Sequence, residues 1–307
     1  MTTSKLSNTG TGPDFLCIGM QKAGTKWLYD SLRWCPGFWM PPIREMHFFD
    51  REFLEPELRA NVDRANLARS LEIVSPQGGD AAVIGGRPSP NPESDLDFAK
   101  RWVHMVANGY RLADYRALFT SKGRNVSGDV TPAYSGLSER EVKTVKAAFP
   151  ELRIVLIVRD PISRAWSSFN MHIRKHVMSD TERRSPRSGE ILREKASVEM
   201  LSDFLSRSES AGRSFPSVSY ERWASAFGQQ RVHVTFFPDI AKRPVGVLEE
   251  ICSFLGVSPE MPPVPARNVK GSVLRTEMGE AQAAYLRDFF REEYRRIEGV
   301  FPRGLGG

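Results

Sequence analysis

The sequence predicts an α/β fold, a doubly wound parallel sheet flanked by helices in a single domain. Short apolar segments alternate with longer helical patterns, which is the order expected of strands joined by crossover helices. Segment 152–158, Leu-Arg-Ile-Val-Leu-Ile-Val, is too apolar for either face to be solvated, as in a central parallel strand. The 307 residues, 40% hydrophobic and 26% charged, can bury an ordinary globular core.

The individual elements follow from apolar patterns and their flanking residues. Strands are predicted at Phe15–Gly19, 38–40, 152–158 and 231–237, where the flanking Gly19 and Pro238 mark ends. Helices are predicted at 25–34, 54–73, 96–119, 139–149, 198–207, 220–227, 245–255 and 277–297, with another starting at Pro161. Residues 1–13 are predicted to be a flexible N-terminus and 14–307 the folded domain. Stretches 75–94 and 179–190 are expected to be mobile surface insertions, or one of them helps to close over substrate.

Charge, cysteines and hydropathy narrow the class of protein. A net charge of +6 attracts anionic ligands, but the basic residues are spread along the chain without a nucleic-acid-binding motif. Cys17, Cys35 and Cys252 are widely spaced and lie in apolar segments, which predicts reduced core thiols. The N-terminus lacks the apolar run of a signal peptide, and no stretch has the length of a transmembrane span. We therefore expect a cytoplasmic protein; the oligomeric state stays open.

A glycine-containing loop joins the first predicted strand to the first predicted helix. Residues 19–26 read Gly-Met-Gln-Lys-Ala-Gly-Thr-Lys. Backbone N–H groups and the helix dipole converge on an anion at such a junction, although similar turns occur in α/β folds without a ligand. A Walker A loop places lysine directly after its second glycine and then a hydroxyl for Mg²⁺. Here Thr25 precedes Lys26 and Lys22 lies inside the loop, so we expect a phosphate site without a metal.

A second candidate anion site follows the strand at 152–158. Arg159 lies at the carboxyl edge of the predicted sheet, where open α/β folds bind ligands, and Ser167 lies about two turns into the next helix. A guanidinium offers a bidentate fork to phosphate oxygens and a hydroxyl adds a donor. Taken alone, the pair fits equally well a surface ion pair beside an exposed serine. Together with the loop, it predicts a ligand with two anionic ends.

Both segments resemble the P-loop-related sulfotransferases that use 3′-phosphoadenosine-5′-phosphosulfate (PAPS). Segment 15–32 resembles the family's loop for the 5′-phosphosulfate, and segment 153–174 its site for the 3′-phosphate. The resemblance implies sulfuryl transfer from PAPS to a hydroxyl or amine, with release of 3′,5′-ADP. The donor-binding residues that it implies are Lys22, Ala23, Gly24, Thr25, Lys26, Trp27, Arg159 and Ser167. Lys26 departs from the small hydroxylated residue usual in the family. A weaker match at 267–275, which resembles the family's late basic loop, adds Lys270, Gly271 and Arg275.

The motif between these sites is most similar to the heparan-sulfate type of sulfotransferase. Residues 41–50, Pro-Pro-Ile-Arg-Glu-Met-His-Phe-Phe-Asp, resemble its KExHFFD-like segment, with Arg44 where lysine is common. The resemblance implies Glu45 as the general base, with His47 as the second candidate, because an attacking alcohol must lose its proton. Arg44 and His47 are further expected to contact the acceptor, and Lys22 to stabilise the leaving group. Alternatively, His47 packs beneath the aromatics and Glu45 pairs with Arg44.

The acceptor side has one further motif. Residues 128–134, Gly-Asp-Val-Thr-Pro-Ala-Tyr, resemble the family's (E/D)xTPxY stretch, which lines the acceptor cleft and makes Tyr134 a candidate substrate-binding residue. Val130 occupies a position where the heparan-sulfate enzymes commonly carry lysine, which weakens the case for a polyanionic sugar. A small-molecule, lipid or carbohydrate acceptor is expected. The competing hypotheses are a P-loop kinase that requires Mg²⁺ and ATP, and a non-catalytic binder of anionic polysaccharide or nucleotide.

Overall fold

The computed structural model describes residues 12–54, 56–74, 83–84, 87–207, 212–258, 276–301 and 305. Its strands are β1 (Phe15–Gly19), β2 (Val83–Ile84), β3 (Arg87–Pro88), β4 (Gly128–Val130), β5 (Arg153–Val158) and β6 (Val232–Phe236). Four of them form a parallel sheet in the order β4-β1-β5-β6, and β2 pairs with β3 in a separate antiparallel hairpin. Since the four strands are parallel, all of their carboxyl ends meet at one edge.

Helices cover the sheet and extend the domain beyond it. They are α1 (Thr25–Arg33), α2 (Pro56–Val74), α3 (Pro92–Ala107), α4 (Leu112–Ala117), α5 (Glu139–Ala148), α6 (Pro161–His172), α7 (Asp180–Arg184), α8 (Ser188–Lys195), α9 (Val198–Ser206), α10 (Pro216–Phe227), α11 (Phe237–Lys242), α12 (Pro244–Leu255), α13 (Glu280–Phe289) and α14 (Arg291–Val300). The main core surrounds the sheet. A second hydrophobic cluster joins α6 to α8, α9 and α13.

The predicted α/β fold is confirmed, with differences in individual elements. The strand predicted at 38–40 is reduced to a bridge between Phe38 and Val126, and β4 was missed because three residues give too short a pattern. The helix predicted at 96–119 is divided into α3 and α4 at Gly109 and Tyr110, both of which have positive φ. The helix predicted at 277–297 is divided into α13 and α14 at Phe290, which is completely buried in the second cluster. Segment 179–190 contains α7 and the start of α8. Residues 1–11 of the predicted N-terminus, and residues 75–82, 85 and 86 of the segment 75–94, lie outside the described residues.

Residues 37–45 run along the outer side of β4. The Val126 N–H donates to the Gly37 carbonyl at 2.9 Å, and the Trp39 N–H donates to the Val126 carbonyl at 3.0 Å. Further along, the Glu45 N–H donates to the Val130 carbonyl at 3.1 Å. The segment 37–45 therefore forms hydrogen bonds with the backbone groups of residues 126 and 130 that point away from β1. The residues that follow it lie at the carboxyl edge of the sheet.

Helix α1 holds the same segment from the other side. The Tyr29 hydroxyl donates to the Pro41 carbonyl at 2.6 Å, and Arg33 Nη1 donates to the Met40 carbonyl at 2.7 Å. Arg33 is also paired with the fully buried carboxylate of Asp95 on α3. One helix thus begins at the glycine loop and ends where it fixes the segment that leads to residue 45.

Candidate active site

The loop between β1 and α1 forms a cradle of backbone groups at the carboxyl edge of the sheet. The Ala23 N–H donates to the Met20 carbonyl at 3.1 Å, and Gly24, with φ 97°, is the N-cap of α1. A Cβ on Gly24 would lie 3.3 Å from Phe237 Cδ2, so both its backbone conformation and its surroundings favour glycine. The N-terminus of a nine-residue helix directed at this loop is suited to an anion.

Arg159 connects this loop to the end of β5. Its Nη1 donates to the Lys22 carbonyl at 2.7 Å, and its guanidinium lies 4.8 Å from the ring centroid of Phe237. The Lys22 side chain reaches α6, where Nζ lies 4.0 Å from Met171 Sδ. The two predicted anion-binding segments therefore meet at one place, with Lys22 and Arg159 beside each other.

The other predicted donor-binding residues are distributed as follows. Ala23, Thr25 and Trp27 are buried, and Ser167 is half-buried on α6. Lys26 is exposed on α1 and forms an ion pair with Asp30, so the structure does not direct it into the loop. Lys270, Gly271 and Arg275 lie outside the described residues. The following Thr276 is held by α6, because Trp166 Nε1 donates to its carbonyl at 2.9 Å and its hydroxyl donates to Asn170 Oδ1 at 3.0 Å.

A further arginine adds positive charge inside the fold. Arg164 on α6 is only 1% exposed, and its Nη2 donates to Ser214 Oγ at 2.6 Å. Its Nε is buried and has no hydrogen-bond partner within the described part of the chain. Burial, followed by the charges of Arg213 and Arg159, lowers the pKa of Arg164 to about 9. The charges of two guanidinium groups thus act on a third, which makes this part of the molecule favourable for an anion.

The predicted base candidates lie together on the segment that follows residue 41. His47 Nδ1 is 2.7 Å from Asp50 Oδ2, and His47 Nε2 is 3.9 Å from Glu45 Oε2. Burial opposes protonation of His47, but the hydrogen bond to Asp50 and the charges of Asp50 and Glu45 together raise its pKa, while Arg213 acts against them. The imidazole is thus oriented by one carboxylate and faces another, instead of simply packing beneath the aromatic side chains.

Arg44 makes looser contacts. Its Nη1 lies 4.0 Å from Glu45 Oε1, and its guanidinium is 5.6 Å from the ring centroid of Tyr29. The Glu45 side chain remains 45% exposed, so the carboxylate is open to solvent as well as to His47. Glu45 is therefore not confined to a pair with Arg44.

Tyr134 lies beneath the base candidates, in the turn after β4. It is fully buried; its hydroxyl donates to Asp129 Oδ2 at 2.7 Å and accepts from the Phe48 N–H at 3.1 Å. Asp129 also accepts from the Tyr115 hydroxyl at 3.0 Å and from the Thr131 hydroxyl at 2.7 Å. Burial raises the pKa of Asp129, although the three hydroxyl donors and the charge of His47 act in the opposite direction.

Sequence reasoning missed several residues of this site. Asp50 and Asp129 are the acidic positions of the two acceptor-side motifs, so the motifs themselves carried a signal for both residues. Arg164 lies in the segment matched to the 3′-phosphate site but was not singled out. Arg213 lies just before α10, and Phe237 is the first residue of α11. Neither belongs to a recognisable motif, and only the fold brings them to the site.

The chain is similar to known sulfotransferases over most of its length. The family model described as "Sulfotransferase domain" matches residues 12–276. A sulfotransferase from Alicyclobacillus acidocaldarius aligns with a TM-score of 0.58 and 21% identity over 94% of this chain and 95% of its own. The sulfotransferase domain from the curacin biosynthetic pathway aligns with a TM-score of 0.54 and 15% identity over 95% and 98%. At these identities the two structures show the fold.

Other comparisons and searches add little to this picture. A search of curated protein sequences gave no match. Within the described residues, no helix combines the length and apolarity needed to cross a bilayer, and no cluster of three potential metal ligands is found.

The family model covers far more than half of the chain and includes the glycine loop, Arg159 and the segment of Glu45 and His47. The chain belongs to the sulfotransferase family, and its reaction is the transfer of a sulfuryl group.

Proposed function

We propose that the donor is PAPS, bound with its phosphosulfate on the loop between β1 and α1 and its 3′-phosphate near Arg159 and Ser167. The observation that carries this proposal is the 2.7 Å hydrogen bond from Arg159 to the Lys22 carbonyl. It puts the two cationic segments side by side, as a donor with two anionic ends requires. Sulfotransferases of this family use PAPS, which supplies an activated sulfuryl group.

The local chemistry fits such a donor. Arg159 uses one nitrogen on the loop backbone, and a guanidinium has five N–H donors in all. Arg164 and Arg213 add positive potential to that of Arg159, and the α1 N-terminus contributes its dipole. Lys22 reaches from the loop to α6 and so lies between the two proposed phosphate positions. We assign to Lys22 the stabilisation of negative charge on the departing phosphate oxygen.

We propose His47 as the proton acceptor, with Glu45 beside it. Asp50 accepts a hydrogen bond from the Nδ1–H, which leaves the lone pair of the neutral imidazole on Nε2, the atom that faces Glu45. As the acceptor oxygen bonds to sulfur, its proton passes to Nε2, and the bond from sulfur to the 5′-phosphate oxygen breaks. Asp50 and Glu45 stabilise the resulting imidazolium. The geometry therefore favours His47 over Glu45, the reverse of the order inferred from the motif.

The acceptor is proposed to carry a hydroxyl or amine on a small molecule, lipid or carbohydrate. Val130, at the position where related motifs carry lysine, is buried and adds no charge to the cleft. The proposed reaction assigns every charge-stabilising role to side chains and backbone groups. We therefore propose that it proceeds without a metal ion.

The donor assignment is tested by the nucleotide selectivity of an Arg159→Ala variant. We expect it to weaken binding of 3′,5′-ADP by about 100-fold, since a charged hydrogen-bonded contact contributes roughly 1.5–3 kcal/mol. Binding of 5′-AMP, which lacks the 3′-phosphate, is expected to fall by less than about threefold by calorimetry. The matched control is Arg231→Ala, because Arg231 pairs with Glu151 at the opposite edge of the sheet. Equal losses for both nucleotides would contradict the assignment.

A second measurement separates this function from the kinase hypothesis. The wild-type protein is incubated with labelled PAPS and an extract of its native host, with and without EDTA. Transfer of label that is insensitive to EDTA supports the proposal. Loss of transfer on chelation, or turnover of ATP that requires Mg²⁺, would overturn the proposed mechanism.

A further inference from the structure

We propose that Tyr134 and Asp129 are positioning residues that hold the base segment, residues 45–48, in its active conformation. This inference rests on the proposed role of His47 in the reaction. It departs from the motif-based expectation that Tyr134 contacts the acceptor. The side chain is 0% exposed, so an acceptor could touch it only if the surrounding core opened.

The base segment is held at both ends by hydrogen bonds that its backbone N–H groups donate. At one end the Glu45 N–H donates to the Val130 carbonyl at 3.1 Å, and at the other the Phe48 N–H donates to the Tyr134 hydroxyl at 3.1 Å. Both acceptors belong to β4 or the turn directly after it. The same short stretch of chain thus fixes the position of both ends of the base segment.

The backbone between these two points is strained. Glu45 has φ 55° and His47 has φ 51°, a region that side-chain-bearing residues rarely adopt. Such conformations persist only where surrounding contacts impose them. Without the bond to Tyr134, the segment would be free to relax, and the imidazole would lose its alignment with Asp50.

Asp129 fixes the Tyr134 hydroxyl. A phenol that donates to a buried carboxylate must direct a lone pair elsewhere, and here it accepts from the Phe48 N–H. Tyr115 donates to the same carboxylate oxygen but has no hydrogen bond to the base segment among those described. The two tyrosines have similar burial and the same partner, but only Tyr134 forms a hydrogen bond with the Phe48 backbone. Tyr115 contacts residue 48 by ring stacking, with 4.2 Å between the ring centroids, a contact that Tyr115→Phe retains.

The charges around His47 determine the direction in which its pKa should change in the variants. Asp50 and Glu45 raise the pKa of His47 against the effect of burial, and Arg213 lowers it. The charge of His47 in turn lowers the pKa of Asp129, so these two groups also interact. Loss of alignment with Asp50 is therefore expected to lower the pKa of His47.

The test compares Tyr134→Phe with Tyr115→Phe in the full-length protein bound to 3′,5′-ADP. Amide hydrogen exchange of Phe48 and the pKa of His47 are measured by NMR, with the His47 signal assigned from a His47→Gln variant. We expect Tyr134→Phe to accelerate exchange at Phe48 about five- to tenfold and to lower the pKa of His47. In Tyr115→Phe, the exchange rate of Phe48 should stay within twofold of wild type.

If Tyr134→Phe fails to fold, Asp129→Ala removes the partner that fixes the Tyr134 hydroxyl and should likewise accelerate exchange at Phe48. A further variant, Asp129→Asn, separates charge from position. It keeps an oxygen that can accept from Tyr134, so Phe48 should remain protected while the pKa of His47 falls through loss of the Asp129 charge. Unchanged exchange at Phe48 in Tyr134→Phe, or equal acceleration in Tyr115→Phe, overturns the proposal. Affinity for 3′,5′-ADP reports on the donor site independently, so its loss in Arg159→Ala does not bear on this outcome.

Discussion

Arg164 brings a positive charge into the protein interior next to two other guanidinium groups. Its one described side-chain partner is the neutral hydroxyl of Ser214. A buried charge without a counter-charge costs stability, and an apolar residue of similar volume often restores it. The same charge lowers the energy of a bound anion nearby. The residue therefore opposes the stability of the free protein and favours nucleotide binding.

An Arg164→Met variant should separate these two effects. We expect the free energy of unfolding of the ligand-free protein to be equal to wild type or higher by up to about 2 kcal/mol. Affinity for 3′,5′-ADP should fall by about tenfold or more, as measured by calorimetry. Arg116→Met is the matched control, since Arg116 donates to the Ala148 carbonyl and stacks on Phe149. That variant should be less stable with unchanged affinity; the opposite pattern would refute the account of Arg164.

His47 gives the molecule a stability that depends on pH. Because its folded pKa is raised above the ordinary value of 6.5, its contribution is complete below that value and is lost as pH rises through the folded pKa. Asp50→Asn removes the carboxylate on Nδ1 and should lower the pKa of His47. The decline in Tm between about pH 5.5 and 8.5 should therefore be smaller in this variant than in wild type. His47→Gln sets the baseline, and a wild-type decline no larger than this baseline would contradict the assignment.

The sequence revealed the residues of the site that lie within motifs, but it did not reveal their partners. Lys22 and Arg159 were predicted to bind one ligand, and the structure brings them together. Lys26 was placed in the site by its position in the loop, but helical periodicity turns it towards Asp30 instead. Arg213 could not be found, because its approach to His47 depends on how α10 packs against the turn after β4.

At the scale of elements, α1 couples the donor loop to the base segment. The helix begins at Gly24 and, through Tyr29 and Arg33, holds the carbonyls of residues 40 and 41. A displacement of α1 would therefore move both halves of the site together. Helix α6 has a similar role, because it carries Arg164 and Ser167 and contacts both Lys22 and Thr276.

Arg33→Ala tests the contribution of α1. We expect a loss of about 3–5 kcal/mol in unfolding free energy by urea denaturation, because the buried Asp95 would lose its counter-charge and keep only neutral partners such as the Ser89 hydroxyl. The control, Arg64→Ala, removes an exposed arginine of α2 and should change stability by less than about 0.5 kcal/mol. A small effect of Arg33→Ala would show that α1 does not depend on this buried pair.

Elements were predictable where a long apolar pattern or a proline or glycine defined them. β1, β5 and β6 followed from their apolar runs, whereas β4 did not, since its three residues form a strand only through pairing with β1. The division of the helix at 96–119 depends on a left-handed Tyr110. The preceding Gly109 is a local stop signal that the helix prediction did not use: its N–H donates to the Val106 carbonyl at 3.3 Å and the Tyr110 N–H to the Met105 carbonyl at 3.0 Å, which ends α3 in a C-capping turn.

At the scale of the whole molecule, nucleotide binding should be linked to global stability. A ligand at 100 times its Kd stabilises the folded state by about 2.7 kcal/mol. We expect 3′,5′-ADP to raise Tm by several degrees with or without Mg²⁺, and 5′-AMP at the same concentration to raise it by less. The Tm is measured by thermal unfolding in EDTA and, in parallel, in excess Mg²⁺. A shift that requires Mg²⁺, or that is larger with ATP than with 3′,5′-ADP, would contradict the proposed donor site.

The course of residues 37–45 along β4 also affects solubility. An uncovered edge strand offers free N–H and C=O groups on which a second chain can pair and begin to aggregate. Here the groups of Val126 and Val130 are already bonded to the segment that leads to His47. Substitutions that loosen this segment would therefore damage catalysis and also expose unpaired backbone groups beside β4. Variants that lose activity in this way should therefore also be less soluble.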